Sequence, residues 1–206
     1  MPDVKKYDKI LDALQQLLEE KKIQSISVSE IAQKAGIGKG SIYYYFPSKD
    51  AILDALIQRN YEKPLQTAKN LAIQTDISPF ARMAIIFQAC RNSSAAFVNN
   101  QRDTVVSTVQ EQAFIRQKYI NHLISELKPV LTEIIKQAIE NGEVNFEYPA
   151  ALAEIVLVVL AVKLDNSFIP STPEESEETI KGLISLLEKG TGIPSGTLGY
   201  LSLTTK

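Results

Sequence analysis

The side chains that most often carry enzyme chemistry are scarce in this sequence. Its 206 residues include one cysteine, Cys90, and one histidine, His122. A cysteine and a histidine can act as nucleophile and base where they meet in space, but a lone cysteine is more often a small core residue. One residue of each type cannot build a multi-cysteine metal site, and no glycine-rich phosphate loop is present. We therefore expect no catalysis, metal or cofactor, with a Cys90/His122 enzyme as the remote alternative.

Contacts to nucleic acid are the second chemistry that the sequence allows. The net charge is −2, so the chain as a whole does not attract phosphates. Between Glu30 and Asp50, however, Lys34, Lys39 and Lys49 occur with no acidic residue. Such a short cationic stretch suits phosphate contacts over a small footprint rather than a tail that coats DNA.

Short helices are expected to position these lysines. An amphipathic first helix is indicated by apolar residues at helical spacing: Tyr7, Ile10, Leu11, Leu14, Leu17 and Leu18. Ser27 and Glu30 have the spacing of a capping box at the start of a second helix. Gly36 suits the left-handed end of that helix. A third helix then runs from Gly38 to about Phe46, and Pro47 stops it before a fourth begins.

The second and third helices together predict a helix-turn-helix. Ile42 and Phe46, four residues apart, are expected to anchor the third helix to the core. Its flanks and outer face then hold Lys39, Gly40, Ser41, Tyr43, Tyr44 and Tyr45. Lysine, serine and tyrosine offer donors to phosphates, and aromatic ring edges can meet thymine methyl groups. Tyr45 could equally be a half-buried packing residue.

The run SVSEIAQKAGIGKGSIYYYFPSKDAIL, from Ser27 to Leu53, resembles the DNA-binding motif of the tetracycline-repressor-like (TetR) family. With the first helix, the resemblance covers about a quarter of the chain. It implies DNA contacts from Ser29, Lys39, Gly40, Ser41, Tyr43, Tyr44 and Lys49, with Lys49 beside the phosphate backbone. Gly38 departs from the Ser or Thr that usually caps the recognition helix. Tyr44 and Tyr45 stand where histidine is frequent, so an operator sequence cannot be transferred from relatives.

Helical periodicity continues after the motif, with breaks expected at Pro64, Ser78-Pro79, Asn99-Asn100, Asn141-Gly142, Pro149 and Pro170–Pro173. The glycines and small polar residues after Lys189 predict an irregular tail. No segment alternates as a strand does, so we expect an all-α fold. We predict a helix-turn-helix DNA-binding domain at residues 1–60. A larger helical bundle at residues 61–206 would then bind an effector and form a dimer.

Two segments near the C-terminus predict the dimer. Residues 150–162 are apolar nearly all round, although a helix in a small core needs only one apolar stripe. We expect the surplus apolar face to form a four-helix interface between two copies. Its predicted residues are Leu152, Ile155, Val156, Val159, Ile180, Leu183, Ile184 and Leu187.

The middle helices hold the material for a small-molecule site. Aromatic and apolar residues occur there with a few polar groups, a lining that suits a mostly apolar effector. The predicted effector-binding residues are Phe87, Cys90, Arg91, Phe114, Tyr119 and His122. Each of them could also be an ordinary core residue.

These features together predict a homodimeric, cytoplasmic repressor that an effector releases from double-stranded operator DNA. The single cysteine fits a reducing compartment. The longest apolar run is shorter than a bilayer requires, so we expect no membrane association. An activator on the same scaffold, or an architectural DNA-binding protein without a ligand, remains as an alternative.

Overall fold

The computed structural model describes residues 4–102, 109–164 and 171–202. Over these residues it consists of α-helices and two short 3-10 turns, with no strand, which confirms the all-α prediction. The helices are α1 (Val4–Glu20), α2 (Val28–Ala35), α3 (Lys39–Tyr45), α4 (Lys49–Ala72), α5 (Pro79–Arg102), α6 (Val109–Glu140), α7 (Pro149–Leu164) and α8 (Pro173–Thr191). The 3-10 turns are Ile23–Ser25 and Gly199–Leu201.

The chain forms two compact units. The first unit comprises Met1–Glu62 with Asn92–Tyr119, and the second comprises Lys63–Arg91 with Ile120–Lys206. The division of function between residues 1–60 and 61–206 stays a prediction.

The core of the first unit follows from the amphipathic pattern of α1. Ile10, Leu11 and Leu14 recur at spacings of one, three and four residues, which places them on one helix face, and all three are fully buried. The other helices of this unit also contribute fully or almost fully buried side chains: Ile31, Ile42, Ile52, Leu53 and Ile57.

The second unit has its own core, in which α7 and α8 pack together with the end of α6. Its central buried side chains are Ala138, Val144, Leu152, Ala153, Leu160, Ile180 and Leu183. Residues beyond α8 also belong to this core: Ile193, Leu198 and Leu201. The irregular backbone predicted there is therefore packed rather than a loose tail.

Two predicted helix breaks are wrong. Pro64 lies inside α4 and Asn99-Asn100 lies inside α5. A proline removes one backbone donor, and tertiary packing can hold a helix together despite that loss. Asparagine lowers helix propensity by well under 1 kcal/mol, so two in succession do not end a long helix. Breaks near Ser78-Pro79, Asn141-Gly142 and Pro149 coincide with observed helix ends.

A buried arginine closes the C-terminal end of α4 within the second unit. The Nη1 atom of Arg82 donates to the carbonyls of Leu71 and Ala72 at 3.3 Å each. It also donates to Oε1 of Gln137 at 2.7 Å. Arg82 is only 1% exposed, so its charge is buried. The partial negative charge at the C-terminus of α4 offsets that charge.

Candidate nucleic-acid interface

The start of α2 is fixed by the predicted capping box. The backbone N–H of Glu30 donates to Oγ of Ser27 at 3.2 Å, and the N–H of Ser27 donates to Oε2 of Glu30 at 2.8 Å. Lys21 binds the same carboxylate at 2.7 Å. These hydrogen bonds hold the pKa of Glu30 at about 2, the one to Lys21 having the largest effect. Helix α2 therefore begins at a fixed point.

A glycine turn then connects α2 to α3. Gly36 has φ 67° and ψ 34°, the left-handed conformation that glycine adopts without steric cost. The N–H of Ile37 donates to the carbonyl of Ala32 at 3.0 Å and closes the helix end. Gly38 is the N-cap of α3 and supplies no side-chain cap. This geometry is the predicted tight turn of a helix-turn-helix.

Helix α3 has a buried side and an exposed side. Ile42 and the adjoining Phe46 are buried, and the ring of Phe46 lies 4.9 Å from that of Tyr7 on α1. On the other side, Tyr43 is 51% exposed and Tyr44 is 70% exposed. The exposed aromatic rings are available to a partner, because the anchoring of α3 does not use them.

The remaining predicted DNA contacts of α2 and α3 are accessible to different degrees. Lys39, Gly40 and Ser29 are exposed, and Ser41 is half-buried. Tyr45, for which two interpretations stood open, is also half-buried and meets Tyr44 edge to face at 5.2 Å. The exposed surface of α3 that is open to DNA consists of Lys39, Gly40, Tyr43 and Tyr44, here called the recognition face.

The three lysines of the cationic stretch differ in what they already bind. Lys34 pairs with Glu20 at 3.1 Å. The Nζ atom of Lys49 donates to the carbonyls of Ile23 at 2.6 Å and Ile26 at 2.8 Å. Lys39 has no hydrogen-bond or ion-pair partner among the described residues. Its ammonium group is therefore the one most available to DNA.

The internal role of Lys49 was not foreseen from the sequence. Its ammonium group spans 23 to 26 residues of sequence to reach the connection between α1 and α2. Two of its three N–H donors are used there, so at most one is left for a phosphate. No local pattern marks such a bond, because its acceptors are backbone carbonyls.

This surface lies in the part of the chain that matches a known family. Residues 10–56 match the model described as bacterial regulatory proteins of the tetR family. The "HTH-type transcriptional regulator EthR" of Mycobacterium tuberculosis is 32% identical over 118 residues, 54% of this chain and 55% of EthR. Residues 10–56 therefore form a DNA-binding domain of the TetR family of bacterial regulatory proteins.

Two further comparisons extend beyond the motif. The "Fatty acid metabolism regulator protein" of Bacillus subtilis is 27% identical over 140 residues, 68% of this chain and 71% of that protein. The structure of SmeT, the repressor of the Stenotrophomonas maltophilia multidrug efflux pump SmeDEF, covers 93% of this chain. In turn, 92% of SmeT is covered, with a TM-score of 0.60 and 14% identity, so SmeT shows the shared fold. This chain spans only about half the length of EthR.

The expected effector-binding residues fall in both units. In the second unit, the half-buried Phe87 packs against the core and meets Tyr200 at 6.4 Å. Arg91 donates from Nη1 to the carbonyl of Ser202 at 3.2 Å. Burial raises the pKa of the Cys90 thiol to about 12, so the nucleophilic thiolate is scarce at neutral pH.

His122, also in the second unit, is partly buried, and its Nε2 atom has no hydrogen-bond partner among the described residues. In the first unit, Phe114 is 45% exposed and lies 5.4 Å from Nζ of Lys118. Tyr119 is buried, with its ring 4.4 Å from that of Tyr61. A common site for these residues stays a prediction.

The expected dimer residues differ in how much surface they offer. Leu152, Ile180 and Leu183 are buried in the core of their own chain, so little of them is left for a partner. Four others are half-buried against that core: Val156, Val159, Ile184 and Leu187. Ile155 is 51% exposed, and two side chains outside the predicted set, Val158 and Leu186, are also exposed.

No helix in the described part of the chain is long and apolar enough to cross a membrane. Within the same residues, no group of three or more His, Cys, Asp or Glu side chains is placed to hold a metal ion.

Proposed function

We propose that this TetR-family regulator is a repressor that reads operator DNA with the recognition face of α3. The exposed Lys39, with no partner of its own in the described structure, is the observation that carries the proposal. Tyr43 and Tyr44 beside it supply ring edges and hydroxyl groups. Lysine at the start of a recognition helix can donate to guanine O6 and N7 in the major groove. A cytoplasmic location, where operator DNA would be reached, is part of this proposal.

The repressor binds as a homodimer. Ile155 and Val158 are exposed on α7, and Leu186 is 73% exposed on α8. Exposed apolar side chains on neighbouring helices of one core suit a contact with a second copy. A two-fold dimer would read a pseudo-palindrome, with half-sites in successive major grooves about 34–36 Å apart or somewhat wider.

The effector is a mostly apolar molecule, and we place it in the class of acyl chains. Support comes from the Bacillus subtilis relative, which is described as a regulator of fatty acid metabolism. The aromatic and apolar predicted residues, with Arg91 for a negative head group, suit an acyl carboxylate. A ligand raises the fraction of protein in the DNA-released state from 1% to 99% only if it binds that state more tightly than the DNA-bound state by about 5.5 kcal/mol.

Selection of bound fragments from the genomic DNA of the source organism, followed by footprinting, tests the operator. We expect a pseudo-palindrome upstream of a transcription start. Titration of the bound complex with dodecanoate and dodecanoyl-coenzyme A, with butyrate as the short-chain control, tests the effector. Release by a long-chain compound but not by butyrate supports the proposal. Binding without sequence preference would contradict the operator, and no release by either long-chain compound would contradict the effector class.

A further inference from the structure

The C-terminal residues form a short strap across the second unit. Helix α8 ends at Thr191, and its C-cap Gly192, with φ 73°, turns the chain back. The residues that follow, 192–202, carry Leu198 and Leu201 into the core, where each is only 4% exposed. We call residues 192–202 the strap.

Two acidic side chains of α8 hold the strap. Oε1 of Glu188 accepts hydrogen bonds from the backbone N–H groups of Gly196 at 2.8 Å and Leu198 at 3.3 Å. Oε1 of Glu177 accepts one from the hydroxyl of Ser202 at 2.8 Å. Both carboxylates belong to α8, so the polar hold of this helix on the strap depends on Glu177 and Glu188.

The strap lies on one face of α5. The ring of Tyr200 meets that of Phe87 at 6.4 Å, and Nη1 of Arg91 donates to the carbonyl of Ser202 at 3.2 Å. Phe87 and Arg91 are four residues apart, so they share a helix face. The strap therefore covers an aromatic ring and a guanidinium group that lie side by side.

We propose that this face of α5 is a binding site for an amphipathic anion and that the strap is its displaceable cover. The apolar body of the ligand takes the place of Tyr200 against Phe87, and its anionic group takes the place of the Ser202 carbonyl on Arg91. An anion is a stronger acceptor for guanidinium than a peptide carbonyl. Lys181, at 3.5 Å from Glu177, offsets the negative charge of that neighbouring carboxylate. As a site for the effector, the inference rests on the proposed function.

The probe is 8-anilinonaphthalene-1-sulfonate, which joins aromatic rings to one anionic group. Gly196 has φ 88°, so Gly196→Ala strains the strap although space for a Cβ is open. The matched control is Gly190→Ala, in the last turn of α8 and equally open. We expect Gly196→Ala to bind the probe at least fivefold more tightly than wild type and Gly190→Ala to match wild type.

Two further variants keep the test decisive. Glu188→Ala removes the acceptor of the strap and should also tighten probe binding, and Arg91→Gln added to Gly196→Ala should reverse the gain. Circular dichroism and urea midpoints check that each variant is folded. Equal binding by Gly196→Ala, Glu188→Ala and wild type would overturn the covering role of the strap. A gain that survives Arg91→Gln would overturn the anion site. The probe-binding measurement uses no DNA. Its outcome is therefore independent of whether an effector releases the operator.

Discussion

At the scale of single residues, the lysines near the helix-turn-helix have unequal freedom. Lys34 is paired with Glu20, and Lys49 is bonded to two backbone carbonyls, whereas Lys39 is exposed and unpaired in the described structure. The sequence predicted both Lys39 and Lys49 as DNA contacts. The structure separates them, because an ammonium group that satisfies internal carbonyls contributes first to folding.

Replacement of Lys49 by methionine tests this difference. Ile23 and Ile26 are buried, so their carbonyls lose a donor that water replaces poorly. We expect Lys49→Met to lower the free energy of unfolding by about 1–3 kcal/mol in urea denaturation. Lys39→Met, on the exposed face, should stay within about 0.5 kcal/mol of wild type. A stable Lys49→Met protein whose DNA binding loses about one unit of salt slope would instead favour the phosphate role.

Glu30 predicts an acid-dependent stability. Its pKa is lowered from 4.5 to about 2, first by the hydrogen bond from Lys21 and then by the bonds to Ser27. A lowered pKa in the folded state means that the stabilisation is present above about pH 4.5 and is lost as the pH falls towards 2. We expect Glu30→Gln to flatten the fall in melting temperature across that window. The exposed Glu19→Gln is the control, and identical acid slopes for Glu30→Gln and wild type would contradict the prediction.

At the scale of elements, local signals predicted the helix-turn-helix well. Ser27 and Glu30 form the expected capping box, and Gly36 takes the expected left-handed conformation. Both features depend on bonds between residues within a few positions of each other. A sequence pattern can therefore identify them without knowledge of the tertiary fold.

Features that depend on distant contacts were not predictable. The bond from Lys49 to Ile23 and the burial of Leu198 join residues whose partners are fixed only by folding. The glycines after Lys189 predicted an irregular tail but not its packing, because periodicity does not indicate when an irregular segment is packed. The helix breaks predicted at Pro64 and Asn99-Asn100 are wrong for a related reason. The packing of α4 and α5 outweighs the low helix propensity of these residues.

Two glycines of the turn offer a matched pair of substitutions. Gly38 is an N-cap with φ −69°, where a serine side chain could accept from the first turn of α3. We expect Gly38→Ser to raise the free energy of unfolding by a few tenths of a kcal/mol. Gly36→Ser, at φ 67°, should lower it by about 1 kcal/mol. Urea denaturation measures both, and equal effects of the two substitutions would contradict the assigned turn geometry.

At the scale of the whole molecule, the proposed dimer depends on a smaller surface than the sequence indicated. Most of the predicted interface residues pack at least partly within their own chain, which leaves Ile155 together with the exposed Val158 of α7 and Leu186 of α8. The apolar side chains of α7 are therefore mostly packed in the core of their own chain. The exposed ones remain for contact with a second copy.

A negative charge introduced at Ile155 should weaken the proposed dimer. We expect Ile155→Glu to raise the dimer dissociation constant roughly 30-fold or more, equivalent to about 2 kcal/mol for a central interface residue. Ile73→Glu is the control, because Ile73 is 79% exposed and lies outside α7 and α8. Sedimentation velocity over a range of concentrations measures both. A dimer unaffected by Ile155→Glu would place the interface elsewhere.

The most direct test of the account is the affinity of wild type and Lys39→Ala for the selected operator and for a scrambled duplex of equal length. Fluorescence anisotropy at one fixed salt concentration gives all four dissociation constants. We expect wild type to prefer the operator by about 10³-fold or more. We expect Lys39→Ala to lose about 1–3 kcal/mol of binding free energy on the operator and little on the scrambled duplex. Equal affinity of both proteins for the operator would contradict the assignment of the recognition face to DNA.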